Sequence, residues 1–176
     1  MGEPIQIDYE ELDLKANLGA FSTYDAEVLV PQVMKLGVGD VYLEVGVDKG
    51  KSLSIARMVN DKCKVIGVDL RPDPKVPNTF FYQGDSVGVS KVYDKGEISV
   101  LFIDGDHSYQ GCKRDIDAWF PLMKEGGVML FHDGDETSPG VVRAIAEFVD
   151  TYKGVLKEWT ICKRTDKNTS MQIIRL

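Results

Sequence analysis

Residues 98–111 read ISVLFIDGDHSYQG, and their reading decides the fold. Ile98 to Ile103 is an almost unbroken apolar run of strand length, the pattern of a strand buried on both faces. Asp104, Asp106 and His107 follow at once, so this strand ends in two carboxylates and an imidazole. A strand covered on both faces needs helices above and below its sheet.

Working outward, the chain alternates apolar strands with helical segments. VYLEVG (41–46), KVIGVD (64–69), TFFYQG (79–84) and GVMLFHD (127–133) read as further strands. Helices are expected over Lys51–Asn60, Ser86–Tyr93, Ser108–Lys124 and Val141–Tyr152. In the third of these Cys112, Ile116, Trp119, Phe120 and Met123 share one face. Thr23–Leu36 is also helical in spacing and stops at Gly37, with Pro31 predicting a kink or two shorter pieces. Residues 1–22 form an N-terminal extension in which YEELDL has the character of a short helix, and 23–176 read as a single domain. Two closing strands, Val155–Cys162 and Ser170–Leu176, are separated by KRTDKNTS, which is too short for a crossover helix. The expectation is an α/β fold: a doubly wound, mostly parallel sheet ending in an antiparallel hairpin at one edge.

Composition narrows the function. Acids outnumber bases by 28 to 21, a net charge of −7, which argues against a nucleic-acid partner. No run approaches the ~20 apolar residues of a membrane span. Cys63, Cys112 and Cys162 are scattered and odd in number, which suits a reducing cytoplasm rather than a disulfide framework.

In doubly wound sheets ligands bind at the carboxyl ends of the strands. Five successive strands here end in polar groups: Glu44 with Gly46 and Gly50; Asp69; Asp85 with Ser86; Asp104, Asp106 and His107; His132 with Asp133. Any one of them is as readily a helix cap or a solvated loop acid, Asp85 above all. As a set, with the chain's two histidines at neighbouring strand ends, they point to a site. Asp69 lies where a ribose diol is bound in dinucleotide folds. The glycine pattern, E-x-G-x-x-x-G, is not the G-x-G-x-x-G of nicotinamide enzymes, and an acidic pocket suits a cationic ligand.

Four segments carry a family likeness: LEVGVDKGKS, VIGVDLRP, YQGDS and LFIDGDHSYQGCKRDIDAWFPLMKEGGVMLFHD. Together they resemble the class I S-adenosylmethionine-dependent methyltransferases, which have a Rossmann-like sheet. The last is most similar to the subgroup of sugar and natural-product O-methyltransferases and cephalosporin hydroxylase-like proteins. The likeness runs from Val41 to Asp133 and continues more weakly beyond.

The resemblance implies S-adenosylmethionine as cofactor, with Glu44, Gly46 and Gly50 around its methionine part, Asp69 on the ribose, Asp85 and Ser86 at the adenine, and Asp104 as a further cofactor-side acid. It implies Mg2+ or another divalent metal on Asp104 and Asp133, with Asp104 and His107 catalytic and His107 the general base. Metal-dependent members often place another oxygen ligand where this chain has Gly134. Asp135, Asp106 or water would then complete the shell, or no metal binds. The expected activity is O-methylation of a small-molecule hydroxyl. The alternatives are a metal-free methyltransferase using His107 or His132 as base, and a non-catalytic cofactor-binding accessory protein. In so short a chain the expectation is that substrate recognition depends on a partner subunit, as in a homo-oligomer, or that the pocket is open.

Overall fold

The computed structural model describes residues 7–16, 19–163 and 170–176. In chain order the strands are β1 (Val41–Val45), β2 (Lys64–Asp69), β3 (Phe80–Gln83), β4 (Ile98–Ile103), β5 (Met123–Phe131), β6 (Glu158–Lys163) and β7 (Ser170–Arg175). The helices are α1 (Tyr9–Lys15), α2 (Thr23–Val33), α3 (Lys51–Val59), α4 (Ser86–Ser90), α5 (Tyr109–Trp119) and α6 (Pro139–Tyr152). The strands form one sheet in the order β3-β2-β1-β4-β5-β7-β6. β7 runs antiparallel to both β5 and β6, while the pairings from β3 through β5 are parallel. The expected doubly wound sheet with a closing hairpin is therefore present. The KRTDKNTS connection lies, apart from Lys163 and Ser170, outside the described residues.

Strand pleating divides the core into two layers. On β1, Val41, Leu43 and Val45 face the layer that holds Cys112, Ile116 and Trp119 of α5 and Ile145 and Phe148 of α6. Tyr42 points to the opposite layer, against Leu29, Val30 and Val33 of α2 and Leu53 and Ala56 of α3. The helix α1 lies on that same side, with Tyr9, Leu12 and Ala16 packed on the core. No described helix is long and apolar enough to cross a membrane. Cys63, Cys112 and Cys162 are free thiols, and burial pushes that of Cys112 up to about 12, an inert core group.

Two local expectations are corrected. α2 runs as one helix through Pro31 rather than as two shorter pieces, the proline removing a single backbone N–H donor. A Ser22–Asp25 capping box secures the start of that helix. α5 ends at Trp119, and Met123 already belongs to β5. Pro121 is the cause: the chain passes through a 3-10 turn at Phe120–Leu122 and cannot continue an α-helix through the proline.

Strand order reverses around β1, since β2 and β3 extend to one side and β4 to the other. The resulting crevice opens at the carboxyl ends of β1 and β4, where doubly wound sheets bind ligands.

Candidate active site

A cavity of about 670 Å³ fills this crevice. That is within the range of small-molecule sites. Seven aspartates line it (Asp48, Asp69, Asp85, Asp104, Asp106, Asp115 and Asp133), together with His107, His132, Arg71 and Arg114. Gly46 and Ser86 also reach it, whereas Glu44 and Gly50 do not.

Each strand end contributes in its own way. Asp69 binds the neighbouring loop rather than solvent: its Oδ2 accepts from the backbone N–H groups of Val47 (2.7 Å) and Asp48 (2.8 Å), and its Oδ1 from that of Arg71 (2.8 Å). The N–H groups that the β1–α3 turn would offer a ligand are thus held by a carboxylate. Gly46 has a positive φ of 87°, and a Cβ there would meet the carbonyl oxygen of Asp104 at 2.1 Å. It is glycine because the β1 and β4 ends pass each other closely. Asp85 caps α4, accepting from Gly88 N–H (3.0 Å), and lies 3.3 Å from Arg114. Ser86 accepts from the Trp119 indole N–H at 2.7 Å. Asp106 forms a tight turn by accepting from Ser108 N–H (2.8 Å), and Asp135 accepts from Thr137.

Glu44 was placed against the cofactor by its motif, yet it is 0% exposed and faces α3 from beneath the cavity. Its oxygens accept from the hydroxyls of Tyr42 and Ser52. Burial pushes its carboxyl up to about 8, against the lowering effect of those hydrogen bonds. The folded protein therefore keeps a proton that the unfolded chain releases above its ordinary 4.5. Stability is unaffected below that value and falls between about 4.5 and 8, by roughly 1.4 kcal/mol per pH unit. Glu44→Gln should match the wild type at pH 5 and exceed it by a few kcal/mol at pH 9. Urea unfolding at both pH values checks this, and parallel pH profiles for the two proteins would refute it.

Asp104, His107 and Asp133 converge at the cavity mouth, each offering one donor atom within 4.8 Å of the others. His107 Nε2 lies 3.6 Å from Asp104 Oδ1 and 3.3 Å from Asp133 Oδ2, and its side chain is 50% exposed. Asp104, the larger influence, and Asp133 raise its pKa, against the effect of partial burial. Asp133 adopts a positive φ of 52°, a conformation uncommon for aspartate and a form of backbone strain associated with functional sites.

Behind this trio lies His132, 7% exposed, between the rings of Phe21 and Phe102. It continues the alternation of β5: Val128 and Leu130 face the α2 side, and His132 follows them there. Its Nε2 lies 3.3 Å from Asp25 Oδ2, and its Nδ1 lies 3.3 Å from Asp104 Oδ1 and 3.1 Å from Asp133 Oδ2. Burial disfavours its charge, but the three carboxylates outweigh burial and push its pKa up to about 12. Asp25 is 2% exposed, and its pKa is lowered: burial opposes this but is outweighed by His132 and Ser22.

Asp25 and Asp115 are absent from the sequence reading of the site. Asp25 looks like the third position of a capping box and carries no other signal. Asp115 carries one, since it interrupts the apolar face of α5 between Cys112 and Ile116. It is 5% exposed, and burial, against a hydrogen bond from Ser86, pushes its carboxyl up to about 6.

A sheet of order 3-2-1-4-5-7-6 with an acidic crevice at the β1–β4 switch point defines a Rossmann-like methyltransferase fold. The chain belongs to the methyltransferase domain family, whose model matches residues 43–134. "Uncharacterized protein R132" of Acanthamoeba polyphaga mimivirus is 32% identical over 130 residues, 61% of this chain. The match spans 58% of that relative's length. An O-methyltransferase from Bacillus cereus, solved with S-adenosylhomocysteine (SAH), superposes with a TM-score of 0.69 at 14% identity, covering 98% of this chain and 93% of that one. The MycE methyltransferase of the mycinamycin pathway, solved with Mg, SAH and mycinamycin VI, gives 0.68 at 16% identity, covering 97% and 54%. At these identities the likeness establishes a shared fold.

Proposed function

We propose that the protein transfers a methyl group from S-adenosylmethionine to a hydroxyl of a small molecule, a sugar or natural product, with help from a divalent cation. The observation that carries this reading is the convergence of Asp104, His107 and Asp133 at the mouth of an acidic cavity in a methyltransferase fold. The O-methyltransferase and Mg-bound neighbours support it.

The donor set fits a cation: the carboxylates of Asp104 and Asp133, at the ends of two neighbouring strands, meet beside the imidazole of His107. When bound, the cation supplies positive charge that lowers the pKa of an acceptor hydroxyl. Asp104 and Asp133 would hold it. The cavity acids draw a cationic cofactor inward, and Trp119, Ser86 and Asp115 give its inner wall a fixed shape. His107, in the accessible loop after β4, takes the hydroxyl proton on its imidazole as the oxygen attacks the methyl group. Alignment of acceptor and methyl donor supplies much of the rate. His132 is a poor base by comparison, since it is buried and, with no cation at the site, its three acidic neighbours favour its charged form.

Incubating the protein with S-adenosylmethionine and a panel of hydroxylated sugars and natural products should release SAH. Chelation should reduce that release at least tenfold, and added Mg2+ or Mn2+ should restore it. Full activity after chelation would remove the metal from the mechanism. SAH binding without turnover on any acceptor would favour the accessory-protein alternative.

A further inference from the structure

Neither ring nitrogen of His132 makes an aligned hydrogen bond, although the side chain is almost wholly buried. Both nitrogens nevertheless sit within 3.3 Å of carboxylate oxygens: Nε2 beside Asp25, and Nδ1 beside Asp104 Oδ1 and Asp133 Oδ2. Buried polar atoms without aligned partners are uncommon and call for an explanation such as a missing ion. Around a small cation with ligands at ~2.1 Å, donor atoms in adjacent positions lie about 3.0 Å apart. The 3.1 Å and 3.3 Å spacings from His132 Nδ1 match that arrangement.

We propose that His132 Nδ1 joins Asp104 and Asp133 as a metal ligand, that Asp25 is the positioning residue behind it, and that the site therefore prefers a first-row transition ion to Mg2+. This rests on the reading of Asp104 and Asp133 as a cation site and goes beyond it in naming the third ligand and the class of metal. A ligating histidine commonly directs its other ring nitrogen to a carboxylate, which fixes the tautomer and the ring orientation. Asp25, on α2, places Oδ2 3.3 Å from Nε2, within reach of such a bond once the ring is held by a cation at Nδ1. The rings of Phe21 and Phe102 leave the imidazole little freedom to turn. His107 borders the same two oxygens, but from an exposed loop, which leaves it available to the substrate. Imidazole nitrogen suits zinc, iron, cobalt and nickel, whereas Mg2+ favours an all-oxygen shell.

The test uses the full chain, freed of metal by chelation and dialysis, with SAH binding as a check that each variant is folded. Calorimetric titration should show Co2+ binding at least tenfold more tightly than Mg2+, with a cobalt absorption band in the visible. His132→Asn should weaken Co2+ binding by about 10–100-fold while changing Mg2+ binding far less. Asp25→Asn, which alters no ligand, should weaken Co2+ binding by about tenfold and shift the cobalt band. If His132→Asn binds Co2+ like the wild type while Asp104→Asn does not, the inference falls and the carboxylate cation site stands. Equal wild-type affinity for the two ions also overturns it. Binding of SAH but of neither metal would remove the inference and the cation site together.

Discussion

Replacing His107 by alanine is expected to lower methyl transfer to an identified acceptor by about 10²–10⁴-fold, the range for losing a positioned general base. The residue sits half exposed in the loop after β4, with Nε2 3.3 Å from Asp133 and 3.6 Å from Asp104. Truncating so exposed a side chain opens no core cavity, so unfolding free energy should change by less than about 0.5 kcal/mol. The cavity walls at Asp69, Asp85 and Ser86, where the proposed reading seats the cofactor, are untouched, and SAH affinity should stay within about threefold. The diagnostic result is a fall in kcat with SAH binding preserved. A variant that keeps full kcat would exclude His107 as the base.

The second large effect is structural. Gly46→Ala should destabilise the protein by more than about 4 kcal/mol or prevent its folding, by two mechanisms acting together. The residue has a φ of +87°, which alanine adopts only under strain. Its new methyl would also lie 2.1 Å, 2.5 Å and 2.7 Å from the Asp104 carbonyl oxygen, the Asp104 carbonyl carbon and the Gly105 Cα. All three are backbone atoms, so no side chain can turn away; either β4 or β1 must shift. Gly39 provides the control: its φ is +93°, but a methyl there meets nothing within 4 Å. Gly39→Ala should cost only about 1 kcal/mol of strain. Urea unfolding of the two variants separates clash from strain, and similar losses for both would show that the close approach at Gly46 matters little.

These cases show which parts of the site are readable along the chain. The Asp104–His107 pair was readable because both follow one strand, three residues apart, and the strand's apolar run announces itself. Gly46 was readable as a required glycine, but its reason was not: the atom that excludes a Cβ belongs to Asp104, on another strand. Glu44 is legible only as a motif position: the pleat of β1, which turns it towards Ser52 and away from the crevice, is not in the motif. The end of α5 was overrun because Phe120 and Met123 keep helical spacing past the break at Pro121.

The sequence by itself determined the layered sheet, the closing hairpin and the row of polar groups at the strand ends. Each follows from local pattern: apolar runs of strand length, helical spacing between them, and a connection too short for a crossover. Only the tertiary structure decided which of those groups face one another. His132 meets Asp25 because alternation along β5 sends it to the α2 side, where the first turn of α2 happens to end in a buried carboxylate. Such a pairing depends on how helices settle on the sheet, a long-range packing outcome that no short stretch of sequence encodes.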